Sequence, residues 1–212
     1  MHDETRPPDD APADAPAAPP DPVPADPPPE PRQRWRLVVA RSVEAPSQTQ
    51  RDLADAWEAA IGGAGLALAR TGDARSRPRI SFGAPLPAGV AADAELIDVV
   101  LTTRWPAWRV REALAPVLPA GWRLVDLHDV WLAGPALAGR IAAADYRVVI
   151  AGADGVDVQR LIDACATLLL SRRVPRIRRK GDTTVTYDLR PLVLDARIDD
   201  VGPPPIILTR TR

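Results

Sequence analysis

Two groups of basic residues have the types and spacing that best support chemistry in this chain. The denser one is Arg172, Arg173, Arg176, Arg178, Arg179 and Lys180; the other is Arg70, Arg75, Arg77 and Arg79. A guanidinium is a planar fork that pairs bidentately with phosphate oxygens, so such clusters point to a phosphate-backbone contact surface. The same residues would also serve as a charged edge that keeps a strand from pairing with other molecules. The carboxylates offer less. Asp52 and Asp98 are the acids an enzyme reading would use, but Glu95 and Asp98 stand three apart, and at that spacing on a strand they face opposite sides. His128, in Asp126-Leu127-His128-Asp129, has carboxylate neighbours that would tune an acid or base, but an exposed strand-end histidine is the favoured reading of the run. No catalytic residue can be assigned, and neither a cofactor nor a metal is expected.

Composition narrows what carries these clusters. Residues 1–32 hold 12 of the 25 prolines and eight acids against two arginines, a net charge of −6, with almost nothing apolar to bury. Such an arm is expected to be disordered and extended. The remaining 33–212 carries 25 basic and 20 acidic residues, a net +5, so a mildly basic body is hidden under the whole-chain value of −1 and the acidic arm is expected to shield it. Cys165 is the only cysteine, which excludes a disulfide framework and a cysteine zinc site and fits the cytoplasm. It reads as a buried structural thiol. No run reaches membrane-spanning length and no signal peptide opens the chain, so neither a membrane nor secretion is expected. All but one of the basic residues are arginine, and DNA is not an expected partner.

The elements that must position the arginines read as follows. Trp35–Ala40 alternates as a strand, and Ser47 with Gln50 has the spacing of a capping box before a helix whose stripe is Leu53, Ala56, Trp57, Ala60, Ile61 and Ala64. Leu66–Ala69 reads as a second strand. Ile80–Phe82 is a short strand running into Pro85, Pro87 and Gly89, a rigid extended turn before the strand Leu96–Leu101. Pro106 opens a second helix, Trp122–Trp131 is a strand, and Tyr146–Ile150 another. A third helix spans about Val156–Leu170 with Val158, Leu161, Ile162, Cys165, Leu168 and Leu169 inward. Three β-rich pieces close the chain: Val174–Lys180, Thr183–Leu192 and Ile206–Thr209, with a hairpin turn at Gly181-Asp182 and a rigid spacer at 203–205. The six tryptophans read mostly as core or edge packing. Helices separated by paired strands, with no Gly-rich phosphate loop, indicate an α+β fold: mostly antiparallel sheet with helices on one face, as two ferredoxin-like halves, 33–133 and 134–212.

Several separated segments carry a family resemblance. Pro78-Arg79-Ile80-Ser81-Phe82, then Pro85-Leu86-Pro87-Ala88-Gly89-Val90, then Ala94-Glu95-Leu96-Ile97-Asp98 resembles the bacterial radical-SAM-linked protein family, a domain of unknown function. Leu118-Pro119-Ala120-Gly121-Trp122, Ala143-Ala144-Asp145-Tyr146-Arg147-Val148, Arg179-Lys180-Gly181 and Asp188-Leu189-Arg190-Pro191 agree in order and spacing. The resemblance covers 33–212 and implies a stand-alone, divergent member of a domain attached to, or encoded near, radical SAM proteins and ribonuclease E/G genes. It marks Asp52, Pro78, Ser81, Phe82, Pro85, Pro87, Gly89, Glu95, Asp98, Asp188 and Arg190 as motif positions. Two motifs depart from it. Thr49-Gln50-Arg51-Asp52 stands where the family has Ser-His-Leu-Asp, and Asp73-Ala74-Arg75-Ser76 where it has Gly-Phe-Asn-Pro. One cysteine cannot supply the three that a radical SAM cluster requires. The favoured class is a non-catalytic accessory module that contacts RNA, with a radical SAM protein as a second expected partner. An enzyme or enzyme subunit in RNA modification or processing, and a protein-interaction domain, stay open as alternatives.

Overall fold

The computed structural model describes residues 29–84, 86–87, 89–150, 157–202 and 204–212; the acidic arm up to residue 28, Pro85 and residue 203 of the spacer lie outside them. The first half runs β1 (Gln33–Arg41), α1 (Gln50–Gly63), β2 (Ile80–Phe82), β3 (Ala92–Leu101), α2 (Ala107–Leu114) and β4 (Trp122–Val130). The strands form one antiparallel sheet in the order β2-β3-β1-β4, which is the ferredoxin-like arrangement. Trp35, Leu37 and Val39 of β1 point into the core with Ile97, Val99 and Leu101 of β3, because alternate residues of a strand share a face. Both helices cover that face. Leu53, Trp57 and Ile61 of α1 and Val110 and Leu114 of α2 complete the cluster, each fully buried Leu or Ile contributing about 1.5–3 kcal/mol. Trp57 meets Trp122 edge-on, with ring centroids 5.5 Å apart.

Local chemistry explains where the strand and helix boundaries fall. The capping box sits two residues later than Ser47 and Gln50 suggest: Thr49 accepts from the Asp52 N–H, and Asp52 answers the Thr49 N–H. Leu66–Ala69 is not a strand. It meets β3 through one isolated bridge, Leu68–Leu101, and the next residue, Arg70, bridges to Pro78, although Leu66 and Ala69 are buried. β3 begins at Ala92 rather than Leu96, since its alanines and acids give no strand signal but pair with Arg41 and Val39 of β1. β4 slips phase at Val125, where Val38 pairs with Asp126 and Val39 with Leu124, so the inward set moves from Trp122 and Leu124 to Leu127. Most tryptophans pack as expected, Trp35, Trp57 and Trp122 in the core and Trp105 against it, while Trp108 and Trp131 are exposed.

The second half runs β5 (Ala144–Val149), α3 (Val158–Leu170), β6 (Pro175–Lys180), β7 (Thr183–Asp188), β8 (Val193–Asp200) and β9 (Ile206–Thr211). Its sheet has the order β5-β9-β8, and β6 and β7 form a separate two-stranded ribbon. Counting β5, β8 and β9 as first to third gives the order 1-3-2, the first three strands of the ferredoxin-like pattern with the ribbon inserted after the helix. The α+β fold of mostly antiparallel sheet is as expected, and of its two halves the second is abbreviated: among the described residues its sheet has three strands and it holds one α-helix. β8 was hidden in the sequence by Pro191 and by the charges Asp195, Arg197, Asp199 and Asp200. Helix α3 has no fully buried side chain, Ile162 is 41% exposed, and Cys165 is only partly buried, with desolvation raising its thiol pKa.

Between the halves, Trp131–Ile141 crosses the outer face of the first sheet, and its single 3₁₀ turn at Leu137–Arg140 buries Leu137. This cover explains why Arg34 and Asp98, on the face opposite the helices, are buried. The link between β2 and β3 is held by Arg41, whose Nη2 donates to the carbonyls of Pro87 and Val90, and Gly89 turns the chain at φ +76°.

Candidate functional site

An open hollow of about 900 Å³ lies beside β2 and the first turns of α1. Its walls bring together the segments singled out in the sequence: Arg51 from α1, Arg75 and Ser76 from the following loop, Arg79 and Ser81 around β2, and Asp98 from β3. Both motif departures, at 49–52 and 73–76, therefore border one cavity with the Pro78–Phe82 motif, although the first stands more than twenty residues before the others in sequence. Arg77, Arg70 and Arg34 line it too.

Three of these arginines are already committed. Arg34 gives Nε and Nη2 to Asp98 Oδ2 at 2.9 and 2.6 Å, and its remaining donors to the carbonyls of Gly134 and Pro135. Arg36, outside the hollow, adds Nε to Asp98 Oδ1 at 2.8 Å and Nη2 to Oδ2 at 2.9 Å, and these bonds raise its pKa above the usual value. Asp98 is thus the centre of a buried Arg–Asp–Arg triad, with only 3% of its side chain exposed. Arg70 pairs with Glu58 at 2.5 Å and donates from Nε to the Ser76 carbonyl at 2.7 Å. Arg77 reaches Asp73 at 3.4 Å, and the Thr71 hydroxyl, Arg77 and the Ser76 N–H together hold the Asp73 carboxyl below its ordinary pKa. Ser76 sits in the left-handed region at φ +43°, a strained conformation for a residue with a Cβ. Arg51, Arg75 and Arg79 are exposed, and none makes a side-chain hydrogen bond or ion pair among the described residues.

The second basic cluster lies on the β6–β7 ribbon. Register places Arg176 opposite Tyr187 and Arg178 opposite Val185, on one face; Ile177 and Arg179 lie on the other, opposite Thr186 and Thr184. Lys180 ends β6 beside the Gly181 turn at φ +59°. Arg172 and Arg173 are exposed in the lead-in. Tyr187, 38% exposed, joins the arginine face, and the sequence reading missed it even though the two-residue turn at 181–182 fixes that pairing. A lone hairpin is marginally stable in water, so its root needs anchoring. Asp188 accepts from the N–H groups of Val174 and Arg190, which lower its pKa, and Arg190 donates to Leu169 O at the end of α3 and to Val193 O. These two motif positions hold the ribbon to the helix.

The acids weighed for catalysis have structural duties. Asp52 completes the α1 cap and Asp98 neutralises two arginines. His128 Nε2 lies 3.4 Å from an Asp126 oxygen with both side chains about half exposed. Glu95 faces Arg41 at 3.4 Å, its side chain 9% exposed, and neither Glu95 Oε1 nor Arg41 Nε finds a hydrogen bond among the described residues. Desolvation outweighs the attraction of Arg41 and raises the Glu95 pKa above its ordinary 4.5. A raised folded-state pKa means that folding favours the protonated acid. The contribution is fully present below the unfolded value and is lost as pH rises through the folded one. Glu95→Gln, which cannot ionise, should therefore gain thermal stability relative to the unaltered chain as pH climbs from about 4 towards neutrality. Parallel melting curves across that range check it; a gap that stays constant with pH contradicts it.

A family model described as "Uncharacterized protein conserved in bacteria (DUF2344)" matches residues 34–211. No curated protein matches the chain. No helix among the described residues is long and apolar enough to cross a membrane.

Proposed function

The chain belongs to this uncharacterized bacterial family, and we propose that it is a non-catalytic accessory module that contacts RNA phosphates through arginines. The observation that carries the reading is the ribbon: a two-stranded arm whose one face joins Arg176 and Arg178 to a partly exposed Tyr187. Guanidinium groups track a phosphate backbone, and an aromatic ring beside them offers a base a stacking surface worth about 1–3 kcal/mol. The hollow supplies a second basic wall with three uncommitted arginines. In this reading a radical SAM protein, implied by the family resemblance, is the enzyme that such a module would serve.

The double replacement Arg176→Gln and Arg178→Gln tests the ribbon, since glutamine keeps length and polarity and removes charge. It should weaken binding to unrelated single-stranded RNA sequences alike, by about tenfold or more for two lost charge-assisted contacts, because phosphate contacts position a strand without reading bases. Arg179→Gln, on the opposite face, should cost less. Fluorescence anisotropy on folded variants measures both. Unchanged affinity in the double variant would leave the cluster as a charged edge and put the protein-interaction reading first.

A further inference from the structure

Resting on the RNA-contact reading, we infer that the hollow beside β2 is a phosphomonoester pocket, taking the terminal phosphate of an RNA strand or that of a free mononucleotide. Arg51 comes from α1, Arg75 from the loop after it and Arg79 from the lead-in to β2, so three uncommitted guanidinium-bearing residues border one cavity. Arg34 and Arg70 are neutralised by Asp98 and Glu58, so they build walls without adding free charge. A terminal phosphate carries about −1.5 to −2 near pH 7, against −1 for an internal diester, and matches several convergent arginines better.

The rest of the lining argues against a backbone running through. Asp55 stands on the α1 side, where successive phosphates would meet like charge, whereas a ribose hydroxyl or base amino group behind a single terminal phosphate would find an acceptor. The loop wall is fixed before any ligand arrives. Arg70 bridges Glu58 to the Ser76 carbonyl, Asp73 accepts from the Ser76 N–H, and the Thr71 N–H donates to Arg77 O. The strained φ of Ser76 is the kind of backbone distortion that persists where surrounding bonds over-determine it, and such distortions cluster at ligand clamps. At about 900 Å³ the hollow lies within the range of small-ligand sites, with room for a nucleotide.

The test uses one RNA sequence made with a 5′-phosphate, with a 3′-phosphate and with neither, together with uridine 5′-monophosphate as competitor. The full chain should bind at least one phosphorylated form about tenfold more tightly than the unphosphorylated strand. Arg51→Gln with Arg79→Gln should erase that preference, and the Arg176→Gln, Arg178→Gln variant should weaken all strands while preserving it. Competition by the mononucleotide for the phosphorylated strand identifies a free nucleotide as sufficient; its failure while the terminal preference stands assigns the site to RNA ends. Equal binding of all three strands, with RNA affinity intact, overturns the pocket and leaves the RNA reading standing. Loss of preference in the ribbon variant but not in the Arg51, Arg79 variant also overturns it, and absence of any RNA binding overturns both.

Discussion

Asp98→Asn should lower unfolding stability by about 3–5 kcal/mol, the cost of removing one partner from a buried ion pair. Asp98 accepts four hydrogen bonds from Arg34 and Arg36, whose side chains are 8% and 20% exposed. Asparagine would turn an amide N–H₂ or a neutral oxygen towards them and leave two guanidinium groups under Trp131–Ile141 without a counter-charge. Urea denaturation measures the loss. Asp145→Asn is the internal comparison, because its pair with Arg210 is exposed on both sides and solvent screening leaves such a pair with little effect on stability. A loss below about 1 kcal/mol at Asp98 would mean that this face is open to water and the cover described here is wrong.

Gly121→Ala should be the other large effect. Gly121 sits at φ +80°, and a Cβ there would lie 2.7 Å from Ala45 Cα, closer than real side-chain atoms come to backbone. The Gly121 carbonyl accepts from the Ser42 N–H at 2.9 Å, so the β1–α1 connection cannot move away without losing that bond. Left-handed strain of about 1–2 kcal/mol adds to a clash costing about 1–3 kcal/mol. Gly89 separates the two terms. It has φ +76° but open space around it, so Gly89→Ala should lose only the strain portion by the same denaturation measurement. Equal losses at both glycines would contradict the close approach of Ala45.

The helix-facing half of the first sheet was legible because its chemistry is local. Alternation in Trp35–Val39, the Leu53–Trp57–Ile61 stripe and Pro106 ahead of α2 each encode which side is apolar, and the strand–helix–strand order then yields the ferredoxin-like sheet. The opposite face was not legible. Nothing in the strand alternation marked Arg34 and Arg36 as partners of Asp98, and only the crossing of Trp131–Ile141, set by tertiary packing, accounts for the burial of Arg34 and Asp98. In the second half, β8 hid behind Pro191 and its charges, and the apolar spacing of α3 overstated how much of it packs.

The site divided in the same way. The ribbon arginines stood out as a run, and the Gly181 turn settled which of them share a face. The hollow could not be read as a unit, because Arg51, Arg75, Arg79 and Asp98 sit on four separate segments whose convergence depends on how β2 folds back on β3. Asp52 and Asp98, the acids that an enzyme reading leaned on, are engaged in a helix cap and a buried triad.

The central claim is that arginines of this domain neutralise RNA phosphates, and the salt dependence of binding by the unaltered full chain tests it most directly. Log affinity for a single-stranded RNA should fall linearly with log salt, with a slope of about −2 or steeper, equivalent to three or more phosphates at about −0.7 each. The slope should be the same for strands of unrelated sequence. A slope near zero, or RNA binding too weak to detect at low salt, would contradict the account.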